Sequence, residues 1–449
     1  MSNNDPDGKT VEDTLLGAVG AVTVGDKAAS RRIDGLSPSG VVYPEDLGEL
    51  SGALAAAYQD DLAVAPWGGG TRIELGNLPE RLDVVIHLSR LNRIVEHNPA
   101  DLTATVQAGV TIENLQEALG QHGQFLAVDT ALPDLATIGG VLAVGASGTS
   151  KWQYGSPRDT VIGMTVAQAD GTVTKSGGQV VKNVSGYDMA RLHVGAIGTL
   201  GIIAEISFKL TPLPVDEATV VAVYDGLGMS TDAGLAVFHS DIVPLAITTF
   251  DNIANDRMKC IDRSGTGFLA IRLGGRPMAL ERQVMECQSL CRQLGSPQID
   301  VIRGSQAEKT WRSVADFGWD TEATPLVLCR VLLEPARVPG FLDALPRLQG
   351  LEGFLLAVTA QPAHGVVLLA WTADGEKPSR DSVTRLIRKS RETVHESNGR
   401  MLIERCPSDV KPRFDVWDEV GTALSTMRRL KEQYDPKRIL SPGRFVGGI

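Results

Sequence analysis

Three stretches of this chain are rich in glycine and small polar residues, and they hold the groups best suited to act on a bound ligand. The first is "PWGGGTR", Pro66 to Arg72. Consecutive backbone N–H groups in such a loop can point inward as a nest and hold a phosphate without any basic side chain. A structural turn would use the same glycines, so spacing alone leaves both readings open. The loop is not GxGxxG and no GxxxxGK[ST] occurs, so neither a dinucleotide fingerprint nor a P-loop is present. The second stretch, "PDLATIGGVLAVGASGTSKWQYGSPRD", runs from Pro133 to Asp159. Gly139, Gly140, Gly145 and Gly148 let backbone approach a flat ligand, and Thr137 and Ser147 offer hydroxyls. The alternative is an irregular surface loop, although loops of that length in compact domains are usually organised by a ligand. In the third, "VVKNVSGYDMARLHVGAIGTLGIIAEI", Gly195, Gly198 and Gly201 recur every third residue. Glycine costs a helix roughly 1 kcal/mol relative to alanine, so such a series serves turns or close approach.

The remaining reactive side chains are dispersed. The seven histidines stand at 87, 97, 122, 193, 239, 364 and 395, with no HxH or HExxH spacing, so no metal site is expected. The five cysteines follow no disulfide framework, which fits a reducing compartment, and no CxxCxxC run could hold an iron–sulfur cluster. Cys287 and Cys291 are i, i+4 on an expected helix and read as core thiols. A formal net charge of −11 argues against nucleic acid or an anionic membrane as partner. The opening "MSNNDPDGKT" lacks the order of a signal peptide, and no apolar run approaches the roughly 20 residues that span a bilayer. A cytoplasmic protein without a transmembrane segment is therefore expected.

The elements that must position these residues follow from periodicity. Residues 1–35 read as a tail with one helix near Val11 to Val19. "GVVYPEDLGELSGALAAAYQD" is a strand, a turn and a helix, with Leu47, Leu50, Leu54 and Tyr58 at helical spacing. "LAVAP" is a buried strand that runs into the first glycine loop. "DVVIHL", "RIVEHN" and "LTATVQAG" are strands, and "TIENLQEALGQHG" is a helix capped at Thr111 and closed by Gly123. "TVIGMTVAQADGTVTKSG" is a hairpin turned at Asp170-Gly171, and "IIAEISFKLTPLP" is a strand that Pro212 and Pro214 stop. Beyond it the order becomes βαββαβ twice. The first unit holds helices at Ser230 to His239 and Met278 to Leu294; the second, at Ala336 to Leu348 and Ser379 to Ser397. Two ferredoxin-like units in tandem could share one mostly antiparallel sheet with helices on one face. A helix at Asp415 to Tyr434 and the tail "DPKRILSPGRFVGGI" close the chain.

"PWGGGT", "ATIGG", "SGTSKWQYGSPRDTVIGMTVAQADGTV", "GGQVVKNVSGYDMARLHVGAIGTLGIIAEISFKLTPLP" and the terminal "YDPKRILSPGRF" together resemble the FAD-binding oxidoreductases of the vanillyl-alcohol oxidase type, with a PCMH-type FAD domain. The likeness is strongest to the FAD-binding E subunits of glycolate oxidase. The resemblance implies an α+β fold: a two-lobed FAD-binding domain at 36–214, a cap over the isoalloxazine at 215–405, and a segment at 406–449 that returns to the FAD domain. It implies non-covalent FAD, since "WGGGTR" offers no His, Cys or Tyr for attachment. The pyrophosphate would sit on Gly68, Gly69, Gly70 and Thr71, flanked by Pro66 and Arg72. Pro133, Asp134, Thr137, Gly139, Gly140 and Ser147 would line the flavin. Gly198 and Ile203 would approach the adenine-side portion or the pyrophosphate. Relatives end in "NPG", where this chain has Ser441.

The activity so implied is oxidation of a 2-hydroxy acid by hydride transfer to flavin N5 within a glycolate oxidase-type complex. Partners would be a second FAD subunit and an iron–sulfur subunit that takes the electrons. A cation from the cap would hold the substrate carboxylate, and Arg272, Arg330, His364, Trp371 and Arg405 stand on expected cap strands or their ends. A surface position or sheet packing accounts for each of them better than a catalytic role, and no catalytic residue is named. Two other readings are a flavin-binding assembly subunit without substrate chemistry and an oxidase of a sugar-type alcohol or lactone.

Overall fold

The computed structural model describes residues 11–24, 26–178, 187–320, 324–349, 351 and 353–449. Residues 179–186, the start of the third glycine-rich stretch, lie outside them. Two sheets build the first body. One has the strand order Val22–Val24, Gly40–Val42, Val84–His87, Val64–Trp67, and its last three strands are parallel. These runs are short, apolar and buried, as a covered parallel sheet requires. Helix Leu47–Gln59 covers it, started by the Asp46 carboxylate accepting from the Glu49 N–H at 2.9 Å. The other sheet is antiparallel, in the order Ile94–Asn98, Thr103–Gln107, Ile202–Lys209, Val161–Ala167, Val173–Gly177. Leu54 and Ile86 of the first layer share one core with Val106 and Ile206 of the second.

The helix expected near Val11 to Val19 is present as Val11–Leu16, but the segment around it is not a loose tail, for Val22–Val24 pairs with Gly40–Val42. Leu15 and Val19, one turn apart, are buried in the same core as Leu50 and Leu54. The alternative reading of 133–159 as an irregular loop does not hold, for the stretch forms helices Ile138–Val144, Lys151–Tyr154 and Pro157–Thr160. In the first of these, Ile138, Val141 and Leu142 bury one face at i, i+3 and i+4, which outweighs the two glycines.

The second body is built on an eight-stranded antiparallel sheet. Edge to edge it runs Gln298–Ile302, Asp216–Tyr224, Gly267–Gly275, Ala246–Asp251, Phe354–Gln361, Val366–Ala373, Val327–Leu332, Arg400–Arg405. The two βαββαβ units meet at Ala246–Asp251 and Phe354–Gln361, through Thr249–Ala360 and Phe250–Thr359. Helices Leu227–Phe238 and Pro277–Gln293 cover one half of a face, and Val338–Ala344 and Arg380–Glu396 the other. Contrary to expectation, the opposite face also carries helices, Asn252–Met258 and Gly304–Asp316, which pack with Ala131 and Leu132 of the first body. Alternate residues Leu328, Ala357 and Ala370 make that face apolar as well.

Two expected helices are shorter. Ala336 to Leu348 is divided into a turn at Pro335–Arg337 and helices Val338–Ala344 and Pro346–Gln349, because Pro346 lacks the N–H that would continue the ladder. Asp415 to Tyr434 is helical only over Ala423–Tyr434. The Asp415 carboxylate instead accepts from the Trp417 and Gly447 N–H groups and from Asn77, which fixes a loop. The tail then pairs with the first body: Val64 N–H donates to the Ile439 carbonyl at 2.7 Å, and Ser441 N–H to the Val64 carbonyl at 2.8 Å.

Lys431 secures this return. Its buried ammonium donates to the Asp435 carboxylate at 2.7 Å and to the Thr199 and Leu440 carbonyls at 3.0 and 2.8 Å. Removing one member of such a pair strands the other charge without water. Lys431→Met is expected to lower the unfolding free energy by about 3–5 kcal/mol, measured by equilibrium denaturation. A change below about 1 kcal/mol, the range of exposed ion pairs, would show that the pair does not hold the tail.

Candidate active site

The first glycine loop begins where strand Val64–Trp67 ends, and its shape is set by its neighbours. A Cβ on Gly69 would stand 1.8 Å from the Leu135 carbonyl oxygen, and one on Gly68 2.1 Å from Thr137 Oγ1. Gly198 has φ +75° and packs on Pro66, whose Cγ would meet an added Cβ at 2.4 Å. The three glycine-rich stretches therefore interlock. Thr137 also caps helix Ile138–Val144, accepting from the Gly140 N–H at 3.3 Å, and the Gly139 N–H donates to the Ala108 carbonyl at 2.8 Å. The N–H groups of Gly69, Gly70 and Thr71 have no protein acceptor among the described residues.

Between these stretches lies an open cleft walled by residues of all three. Of the residues expected to bind FAD, it brings together Pro66, Gly68, Gly69, Gly70, Thr71, Arg72, Thr137, Gly139, Gly140, Gly198 and Ile203. Three are elsewhere. Asp134 is paired with Arg312 of the second body at 3.0 Å, the Pro133 carbonyl accepts from the Glu113 N–H at 2.9 Å, and Ser147 stands on the loop after the helix, off the cleft wall. Sequence reasoning missed Thr130, Val141, Val144, His193, Ile197 and Arg444. Val141 and Val144 would have followed from helical period had the stretch been read as a helix. Arg444 left a weaker signal, a lone charge in the apolar "SPGRFVGGI". The residues present fit FAD: residues with unpaired N–H groups line the cleft, apolar side chains wall it, and a buried guanidinium, Arg444, stands at its edge.

His193 lines this cleft with its Nδ1 buried and unpartnered. Burial pushes its pKa down to about 4, so the ring is neutral near pH 7. His87, the last residue of strand Val84–His87 in the first sheet, is likewise at about 4, through burial and then the Arg31 charge.

From the cleft, Arg72 reaches the second body. Its guanidinium meets the Glu404 carboxylate at 3.3 Å, and Arg330 Nε donates to the same carboxylate at 2.5 Å. Trp319 lies under two cations, the Arg72 guanidinium 4.1 Å and the Arg405 guanidinium 4.9 Å from its ring centre. Arg405 pairs with Glu74 at 3.1 Å. Burial acts to raise the Glu404 pKa, but the Arg330 and Arg72 charges more than offset it and keep the group ionised. Burial pulls Arg72 down to about 10. Three guanidiniums against two carboxylates leave one positive charge at the junction of the bodies. Of the other cap candidates, Arg272 pairs with Glu217 at 2.7 Å and Trp371 is buried in the core under the helices. His364 lies on the turn Pro362–His364, with its ring 6.0 Å from Trp152 and its Nε2 unpartnered. Among the described residues, no three His, Cys, Asp or Glu side chains cluster in a way that could hold a metal ion.

The family described as FAD binding domain matches residues 38–177. Together with the glycine-walled cleft it defines the class: the chain carries a PCMH-type FAD domain and is an FAD-dependent oxidoreductase. The particular relatives extend over both bodies. The chain is 25% identical to glycolate oxidase subunit GlcD of Bacillus subtilis (strain 168), over 97% of each chain. It is 26% identical to D-2-hydroxyglutarate dehydrogenase of Xanthomonas citri pv. viticola, covering 91% of this chain and 89% of that one. Among solved structures, p-cresol methylhydroxylase with substrate bound superposes with a TM-score of 0.76 at 16% identity, over 97% and 96% of the two chains.

Two outcomes follow. Gly69→Val pushes the loop off Leu135, so the purified protein is expected to lose at least about nine-tenths of its flavin, read from the 450 nm absorbance, since overpacking by a side chain costs about 1–3 kcal/mol. Flavin content equal to wild type would show that this contact does not shape the cleft. For His193, the folded pKa of about 4 lies below the unfolded value of about 6.5. The unfolded state therefore takes up the proton first, and stability present above about pH 6.5 is lost as the pH falls toward about 4. His193→Phe is expected to flatten the pH dependence of the denaturation midpoint in that window; an unchanged slope would refute the assignment.

Proposed function

We propose that this chain oxidises a 2-hydroxy acid at its CH–OH carbon, with FAD held non-covalently in the cleft and the substrate carboxylate anchored at the junction of the two bodies. The observation that carries this reading is the convergence of Arg72, Arg330 and Arg405, with their excess positive charge, beside the wall of the cleft. Arg330 is two residues from Leu328 on one strand, so both face the first body. When bound, FAD supplies the hydride acceptor for the substrate α-carbon. The protein binds and orients the carboxylate through guanidinium forks, and Trp319 shields the cations from water. Glu404, held ionised by two guanidiniums, orients them and is a poor proton acceptor. The relatives' printed activities on glycolate, D-lactate and D-2-hydroxyglutarate support the substrate class.

Residues 36–214 as the FAD domain, 215–405 as the cap and 406–449 as the returning segment belong to this proposal. So do a cytoplasmic location, a second FAD subunit and an iron–sulfur subunit that receives the electrons. No helix among the described residues is long and apolar enough to cross a membrane.

One observation favours the second reading, a flavin-binding subunit without substrate chemistry. Glu404 already occupies the forks that a substrate carboxylate would use. Anaerobic addition of glycolate or D-lactate to the purified chain separates the two. Bleaching of the flavin band by the chain alone is expected. Arg330→Met is expected to raise the KM about 10- to 100-fold at unchanged flavin content, the loss of one charged hydrogen bond. A flavin that no 2-hydroxy acid reduces, in a chain that a partner nonetheless requires, would establish the assembly role instead.

A further inference from the structure

A buried guanidinium without an ion pair lies at the edge of the cleft. Arg444 is 4% exposed. Its Nη2 donates to the Ile73 and Leu75 carbonyls, and its Nε is buried without a partner. Among the described residues it makes no ion pair. The acidic group that acts on it, Asp34, is already engaged by the Lys411 ammonium at 2.7 Å and the Ser408 hydroxyl at 3.2 Å. Burial lowers the Arg444 pKa to about 10, and the Asp34 charge offsets only part of it. Burying a guanidinium is costly, and an anion that completes it offsets that cost. The cleft that it lines is also where the N–H groups of Gly69, Gly70 and Thr71 lack acceptors. Its two bonds to Ile73 and Leu75 fix it to the same loop, two residues beyond Thr71.

We propose that Arg444, from the C-terminal segment, is the counter-charge for the pyrophosphate of the FAD bound in this cleft. The loop then supplies oriented N–H dipoles and the tail supplies the full charge, two groups that are remote in sequence. This inference rests on the placement of FAD in the cleft. It adds a cation to a site expected to work through backbone alone, and it gives the returning tail a role in holding the cofactor as well as in closing the sheet.

Dissociation constants of apoprotein for three probes test it: FAD, ADP, which has the pyrophosphate without the flavin, and riboflavin, which has the flavin without the pyrophosphate. Arg444→Met is expected to weaken FAD and ADP about 10- to 100-fold, the range for hydrogen bonds to a charged group. Riboflavin should change less than about threefold. Arg444→Lys, which keeps the charge, should hold ADP within about tenfold of wild type. Equal weakening of all three probes would mean that Arg444 only braces the loop, and no weakening of ADP would mean that it meets no phosphate; either overturns the proposal. Ala143→Trp, which fills the cleft, tests the placement separately. If it leaves FAD affinity unchanged, the cofactor lies elsewhere, whatever Arg444 does.

Discussion

The arrangement depends on close backbone approach among three distant glycine-rich segments. Gly69 against Leu135, Gly68 against Thr137 and Gly198 against Pro66 leave no room for a side chain at any of these contacts. The glycines serve first to bring the segments together, and a cleft is what remains between them. A helix cap, two strand ends and a turn then share one rim, so the N–H groups of Gly69 to Thr71 are presented without being used up internally. Ligand approach comes second to this packing: the same smooth backbone that lets the segments touch is the surface a flat cofactor can lie against.

Charge fixes how the second body sits on the first. Lys411, Arg312, Arg405 and Glu404, of the second body and the segment after it, each meet a group of the first body: Asp34, Asp134, Glu74 and Arg72. The side chains of the Lys411–Asp34 pair are each only 2% exposed, and the ammonium also donates to the Glu74 and Gly76 carbonyls. Buried pairs add little net stability, because desolvation consumes most of the attraction, but they penalise every misplaced docking. They thus hold the second body in one register against the first, and that register places Arg330 near Arg72.

Much of this was legible along the chain. Period-two runs marked the strands, period 3.6 marked the long helices, and the βαββαβ order was enough to expect a shared sheet. The errors fell where local rules compete. In 133–159, glycines read as loop formers, but burial of Ile138, Val141 and Leu142 made a helix. At Asp415 to Thr422, a pattern compatible with helix lost to a carboxylate that collects three donors from a folded loop. Strand Val22–Val24 was passed over as tail because a strand of three residues carries almost no periodic signal of its own.

What the sequence determined by itself was local: which segments are glycine-rich, which are strands, and hence which kind of FAD domain this is. Those features depend on backbone freedom and on side-chain period, both of which act between near neighbours. Only the tertiary structure decided which charges meet. Arg72 and Glu404 are 332 positions apart, and Arg444 reaches a loop that closes 369 positions before it. No spacing rule links such residues. Their association is set by how two bodies dock and by the penalty for leaving a charge in a low-dielectric interior without a partner, and these are properties of the folded molecule.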